Sequence, residues 1–210
     1  RVLFRSPQRY YGRVVLDHVC TDTIGDLRDA CDGAFRERLP FEEHFQTDIV
    51  LGDLTWETSY GLPGESDPPD AVAHITFDWP SWSQTAYRQW YVEEALDRLP
   101  AIEIEIVFRL QNLEAAPDPQ KVRKVMPRTS PLVGDNSLER VGLTIEIAHP
   151  DDPEGGLEAP AEQAVEVTYE GLYELAEETL ADGASEVLDQ HLGALAGWIA
   201  ATLVKLADLR

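Results

Sequence analysis

The chain has 210 residues, 43% of them hydrophobic and 27% charged, which is ordinary globular usage and excludes a wholly disordered or fibrous chain. Its 39 acidic against 17 basic side chains leave a formal net charge of -22, which argues against nucleic acid or anionic membrane bound through the bulk surface. Cys20 and Cys31 lack a CxxC pairing, so no metal or cofactor is implied, and two reduced, buried thiols in a cytoplasmic protein are expected.

Arg1, Val2, Leu3, Phe4, Arg5 and Ser6 look like an in-frame translation of a short-read sequencing adapter, as in a metagenomic assembly, and residues 1–6 are set outside the fold. Residues 7–210 are read as one α+β domain. A first strand is expected at 13–20, where Val14, Leu16, His18 and Cys20 alternate with Val15, Asp17 and Val19. Ile24, Leu27, Cys31, Phe35 and Leu39 then recur at helical spacing over 23–39, ahead of Pro40. A second strand is placed at 47–60 with an irregularity at Gly52, followed by a proline-rich and glycine-rich loop over 61–70.

The third strand, 71–79, puts Ala71, Ala73, Ile75, Phe77 and Trp79 on one face and Val72, His74, Thr76 and Asp78 on the other. Ser81 or Ser83 caps a helix over 83–99, with Tyr87, Trp90, Tyr91, Ala95 and Leu99 on its apolar face. Strand 102–110 alternates cleanly, with Ile102, Ile104, Ile106, Phe108 and Leu110 inward and Glu103, Glu105 and Arg109 outward. The order to this point, residues 7–113, is β-α-β-β-α-β, a ferredoxin-like plan with a mainly antiparallel sheet. An irregular basic loop occupies 114–138, with a short helix begun by Asp118 and Pro119. Residues 139–210 add two strands, near 141–147 and 165–169, and C-terminal helices from about Leu172 with a break near Gly183. No stretch is expected to span a bilayer.

The phosphate-loop, dinucleotide, zincin and serine-hydrolase fingerprints are all missing, which leans the reading away from the common enzymes. The enzymatic alternative is a metal-dependent hydrolase built on His18, His74 and Asp78, although His74 and Asp78 lie about 13 Å apart along one strand. Asp151, Asp152 and Glu154 offer calcium-type oxygens, or simply a solvated loop. Trp79, Trp82 and Trp90 would form a stacking platform if exposed, and core if not.

Two features point to a non-catalytic binding or assembly subunit. The last helix is uncharged over 192–204, carries Leu188, Leu192, Leu195, Ile199 and Leu206 at four-three spacing, and repeats Gly193, Gly197 and Ala201 beside Trp198. These nine residues are the expected interface for self-association or a protein partner, with a wholly intrachain core as the competing assignment. Lys121, Arg123, Lys124 and Arg128 form a basic island suited to head-to-tail contact between copies or to an acidic partner, with phosphate as the rival ligand. Finally, Arg13-Val14, Leu39-Pro40-Phe41 and Val50-Leu51-Gly52-Asp53-Leu54 resemble the start of the small sheath subunit of type VI contractile secretion systems, which keeps the last two segments nearly contiguous. Here residues 42–49 separate them, and the resemblance implies an assembly role.

Overall fold

The computed structural model describes residues 25, 28, 29, 31–33, 35, 40–50, 53–64, 68–93, 98–115, 117–148, 162–176 and 184–210. Its centre is one antiparallel sheet of seven strands in the order β1-β2-β3-β4-β7-β6-β5. The strands are β1 Phe41–Val50, β2 Asp53–Gly61, β3 Ala71–Trp79, β4 Ala101–Leu113, β5 Thr129–Val133, β6 Asn136–Ala148 and β7 Glu162–Glu174. The helices are α1 Ser81–Glu93, α2 Pro119–Val125 and α3 Ala184–Ala207. Two meanders, β1 to β4 and β5 to β7, meet where β4 pairs with β7.

The α+β class and the antiparallel sheet agree with the sequence reading, and β4 is the central strand. The ferredoxin-like plan is not what the described strands follow. It requires strand 13–20 between 71–79 and 101–110, yet β3 pairs directly with β4 from Ala71↔Leu110 to Asp78↔Glu103 and leaves no slot there. Strand 13–20 itself lies outside the described residues. The single strand expected at 47–60 is a hairpin: Val50 pairs with Asp53, so the chain reverses where an irregularity was read. The loop over 114–138 contains α2 as expected and also β5, whose Pro131 is tolerated because β5 is an edge strand.

Alternation explains the two faces. Ile102, Ile104, Ile106, Phe108 and Leu110 of β4 are buried on an inner face, with Ala73, Ile75, Phe77, Trp56, Tyr60, Val165, Val167 and Tyr169 of its neighbours. All belong to one hydrophobic cluster that also takes in Cys31 and Phe35, two of the helical residues described between 25 and 35. Phe35 stacks on Tyr60 with ring centroids 4.0 Å apart, and the Tyr60 hydroxyl donates to Asp32 at 2.9 Å.

Helix α1 is fastened to the ends of β3 and β4 by buried polar groups. The Ser83 hydroxyl donates to the Ala101 carbonyl at 2.6 Å and accepts from the Ala101 amide at 2.7 Å and from Trp79 Nε1 at 2.9 Å. The Gln84 amide donates to the Trp79 carbonyl at 2.8 Å, and an Asp53 carboxylate oxygen accepts from the Ser81 amide at the helix start at 2.6 Å. Helix α3 roofs the sheet, with Trp198 meeting Phe108 and Tyr169 edge-on at 5.4 and 5.1 Å.

Candidate functional site

All described helical elements reach the core from the inner face, and on the other face the middle of the sheet is exposed, as antiparallel sheets allow, although Ser59 and Val72 on that face are buried. Register arranges its side chains in rows, since adjacent strands lie about 4.8 Å apart. One row runs Glu57, Thr76, Glu105, Glu170, Glu139 across β2, β3, β4, β7 and β6. The next runs Thr55, Asp78, Glu103, Leu172. Glu57, Glu103, Glu105, Glu139 and Glu170 are all exposed, and Asp78 is half-buried, accepting from the Thr55 hydroxyl at 2.9 Å.

Like charges directly opposite on neighbouring strands destabilise a sheet, each contact at about 5 Å costing about 0.8 kcal/mol in bulk water. Glu105, Glu170 and Glu139 make two such contacts in succession. Towards the opposite end of the face the carboxylates do have a cation: Arg109 pairs with Glu166 and, at 3.1 Å, with Glu146. Arg109 is the one Lys or Arg at the described outward positions of β2, β3, β4, β6 and β7, so Glu105 and Glu170 have no cation at the outward positions opposite them, while Glu139 at the end of the row faces Thr129 of β5, which follows Arg128. The rows line a shallow open groove, and Val141 (56% exposed) and Leu172 (40% exposed) add apolar contact area on it. A surface of this kind accepts several cationic groups together with some apolar area.

The basic island begins on α2 and ends at the β5 edge of the sheet, where the Arg128 carbonyl accepts from the Arg140 amide at 2.8 Å and Thr129, next to it, pairs with Glu139. Asp118 caps α2 by accepting from the Gln120 amide at 2.8 Å, with Pro119 following it as expected. Val122 and Met126 are buried in the core, which turns Lys121, Arg123, Lys124 and Arg128 out to solvent. None of these four makes an ion pair with another described residue. The segment after the helix is held from the inner face by Tyr169, whose hydroxyl donates to the Pro127 carbonyl at 2.6 Å, and by Arg140, which donates to the Met126 carbonyl at 2.5 Å. Burial pushes the Tyr169 hydroxyl up to about 12, the Arg140 charge pulling the other way. It therefore stays a donor far above neutral pH.

Among the described residues, the others singled out from sequence are not brought together into a site. His74 is exposed and hydrogen-bonded to the Ser59 hydroxyl at 2.7 Å, away from Asp78, which faces Glu103. His18 and the acidic loop at 151–154 lie outside the described residues. No group of three His, Cys, Asp or Glu among the described residues could hold a metal ion. Cys31 is buried and is not disulfide-bonded to another described residue, and Cys20 is outside the described residues. Trp79 is fully buried against Tyr87, Trp90 packs on the core, and the Trp82 ring is covered by the Arg98 guanidinium at 3.7 Å, so the three do not form a platform.

The terminal helix also departs from its expected role. Leu188, Leu192, Leu195, Ile199 and Leu206 are all at most 2% exposed, so the four-three stripe is covered by this chain's own sheet and Trp198 is packed on it too. Gly193, Gly197 and Ala201 lie along the partly exposed side, and a Cβ at Gly193 would meet nothing within 4 Å. Glu186–Ala207 is long and apolar enough to cross a bilayer by length and composition alone, a test that the core helix of a globular protein also passes. Its leucines are placed in the core instead.

No family model, curated protein or solved structure matches the chain. Of the segments resembling small sheath subunits, Arg13-Val14 lies outside the described residues, Phe41 opens β1, and Val50 and Asp53 flank the first chain reversal. What sequence reasoning missed is the partnership of Glu105 with Glu170 and Glu139. The available signal was the acidic alternation of 101–105 and 166–170, and the pairing of distant strands is what joins those residues.

Proposed function

We propose that the chain is a non-catalytic binding or assembly subunit whose uncovered sheet face receives a basic protein partner. The observation that supports this most is the in-register row Glu105, Glu170, Glu139, three exposed carboxylates in succession with none of them in an ion pair with another described residue. Such an arrangement weakens the isolated sheet, and an incoming cation relieves it. The terminal helix drops out of the interface because its apolar stripe is buried.

The test is titration calorimetry with an octalysine peptide at low salt. Wild type is expected to bind, with affinity falling as salt rises. Glu105→Gln with Glu170→Gln is expected to weaken binding about fivefold to tenfold, from two exposed ion pairs of about 0.5–0.7 kcal/mol each. Asp189→Asn with Asp208→Asn removes the same number of charges, one from α3 and one just after it, and is expected to leave binding within about twofold. Equal loss in both variants would reduce the face to diffuse acidity, and absence of binding by wild type would overturn the reading.

A further inference from the structure

We infer that the occupant of the bare sheet face is α2 of a second copy of this chain, the two molecules joining head to tail. The inference rests on the reading of the sheet face just given and names its partner. Four of the chain's 17 basic residues fall within the eight positions 121–128, in a molecule of net charge -22. All four are exposed and none is ion-paired to another described residue, so the island is a local excess of positive charge held ready on a fixed helix. Its core-facing residues Val122 and Met126 and its anchor Tyr169 place it on the inner-face side, across the sheet from the glutamate rows. Lys121 and Lys124 are thus set apart from Glu105 and Glu170 of the same molecule, Arg128 alone reaching the β5 edge beside Thr129, the partner of Glu139. Between two molecules the helix and the row can meet.

The dimensions agree. Lys121 and Lys124 are three residues apart on α2, a rise of about 4.5 Å. The carboxylates of Glu105, Glu170 and Glu139 step from strand to strand at about 4.8 Å. A helix laid across the strands along that row brings successive lysines to successive glutamates, with Val141 and Leu172 beneath it. Contact of this kind is heterologous: each copy that gives its helix still offers its sheet face, so growth continues until a ring closes or a filament forms.

Salt dependence carries a signature. At about 0.01 M salt the Debye length is about 30 Å, and whole-body repulsion between two chains of charge -22 opposes approach. Near 0.15 M it is about 8 Å, which screens the bodies and leaves close pairs intact; at 1 M it is about 3 Å and the close pairs weaken too. Association is expected to be strongest at the intermediate salt.

The test is sedimentation velocity of the full chain at those three salt concentrations. Wild type is expected to gain mass with concentration near 0.15 M and to approach the monomer at the extremes. Lys121→Glu with Lys124→Glu, and separately Glu105→Lys with Glu170→Lys, are each expected to weaken association by more than about tenfold. An equimolar mixture of the two variants is expected to regain it, because one supplies an intact face and the other an intact helix; that recovery also shows both to be folded. A wild type that binds octalysine at the face yet stays monomeric at every salt overturns this inference and leaves the functional reading standing. Failure of both experiments removes both, and variants that do not recover on mixing overturn the head-to-tail geometry.

Discussion

Ser83→Ala is expected to lower the unfolding free energy by about 3 kcal/mol or more, measured by urea denaturation monitored through tryptophan fluorescence. A hydroxyl has one donor and two acceptor positions, and at Ser83 all three are used: the Ala101 carbonyl, the Ala101 amide and Trp79 Nε1. Ser83 is fully buried, as are Trp79 and, nearly so, Ala101, so water cannot replace the lost partner. Each buried group left unsatisfied costs about 1–3 kcal/mol. Thr85→Ala on the exposed side of the same helix, where the hydroxyl only bonds back to the Ser81 carbonyl, is expected to change stability by no more than about 0.5 kcal/mol. Equal, small effects at the two positions would mean that α1 is not fastened to the sheet through Ser83.

Leu192→Ala is the second large effect, at about 2–5 kcal/mol of destabilisation, because Leu192 is fully buried in the cluster between α3 and the sheet. The measurement separates core from interface. A core residue lowers the denaturation midpoint of the isolated chain, whereas an interface residue leaves that midpoint unchanged and weakens association. The same substitution at Val204, which is 37% exposed on the same helix, is expected to cost less than about 1 kcal/mol. Unchanged stability of the Leu192 variant would return the terminal helix to the role of docking surface.

These two residues also show how much of the molecule was legible in its sequence. The leucine spacing of α3 fixed a helix with an apolar stripe, but periodicity does not say whether the stripe is covered by the same chain or by another. Ser83 was legible as a residue near a helix start, while its bonds to Ala101 depend on β4 returning beside that helix. Strands β3 and β4 were readable almost to the residue because apolar and polar side chains alternate over most of the length of each. Strand β1, with the run Phe41, Glu42, Glu43, His44, was not, since its polar residues do not alternate with apolar ones, and β5 was hidden by Pro131, which a breaker rule assigns to a loop. The candidate site was the least legible part. Glu103 and Glu105 were outward by alternation alone, but the row they join exists only through the register of β4 with β7 and of β7 with β6, which is a tertiary property.

The row also makes a physical trade visible. Glu170 stands between Glu105 and Glu139, where a neutral side chain would relieve two like-charge contacts and leave the core untouched. A partner of opposite charge would offset that cost, and in the proposed head-to-tail contact α2 of another copy is that partner.

The most direct measurement is zero-length carbodiimide cross-linking of an equimolar mixture of unlabelled and nitrogen-15-labelled chains near 0.15 M salt, read by mass spectrometry. Mixed-isotope links are expected between Lys121 or Lys124 of one copy and Glu105, Glu139 or Glu170 of the other, and they should vanish at 1 M salt. Mixed links scattered over the whole acidic surface, or none at all where wild type associates, would contradict a sheet face built to receive the basic helix.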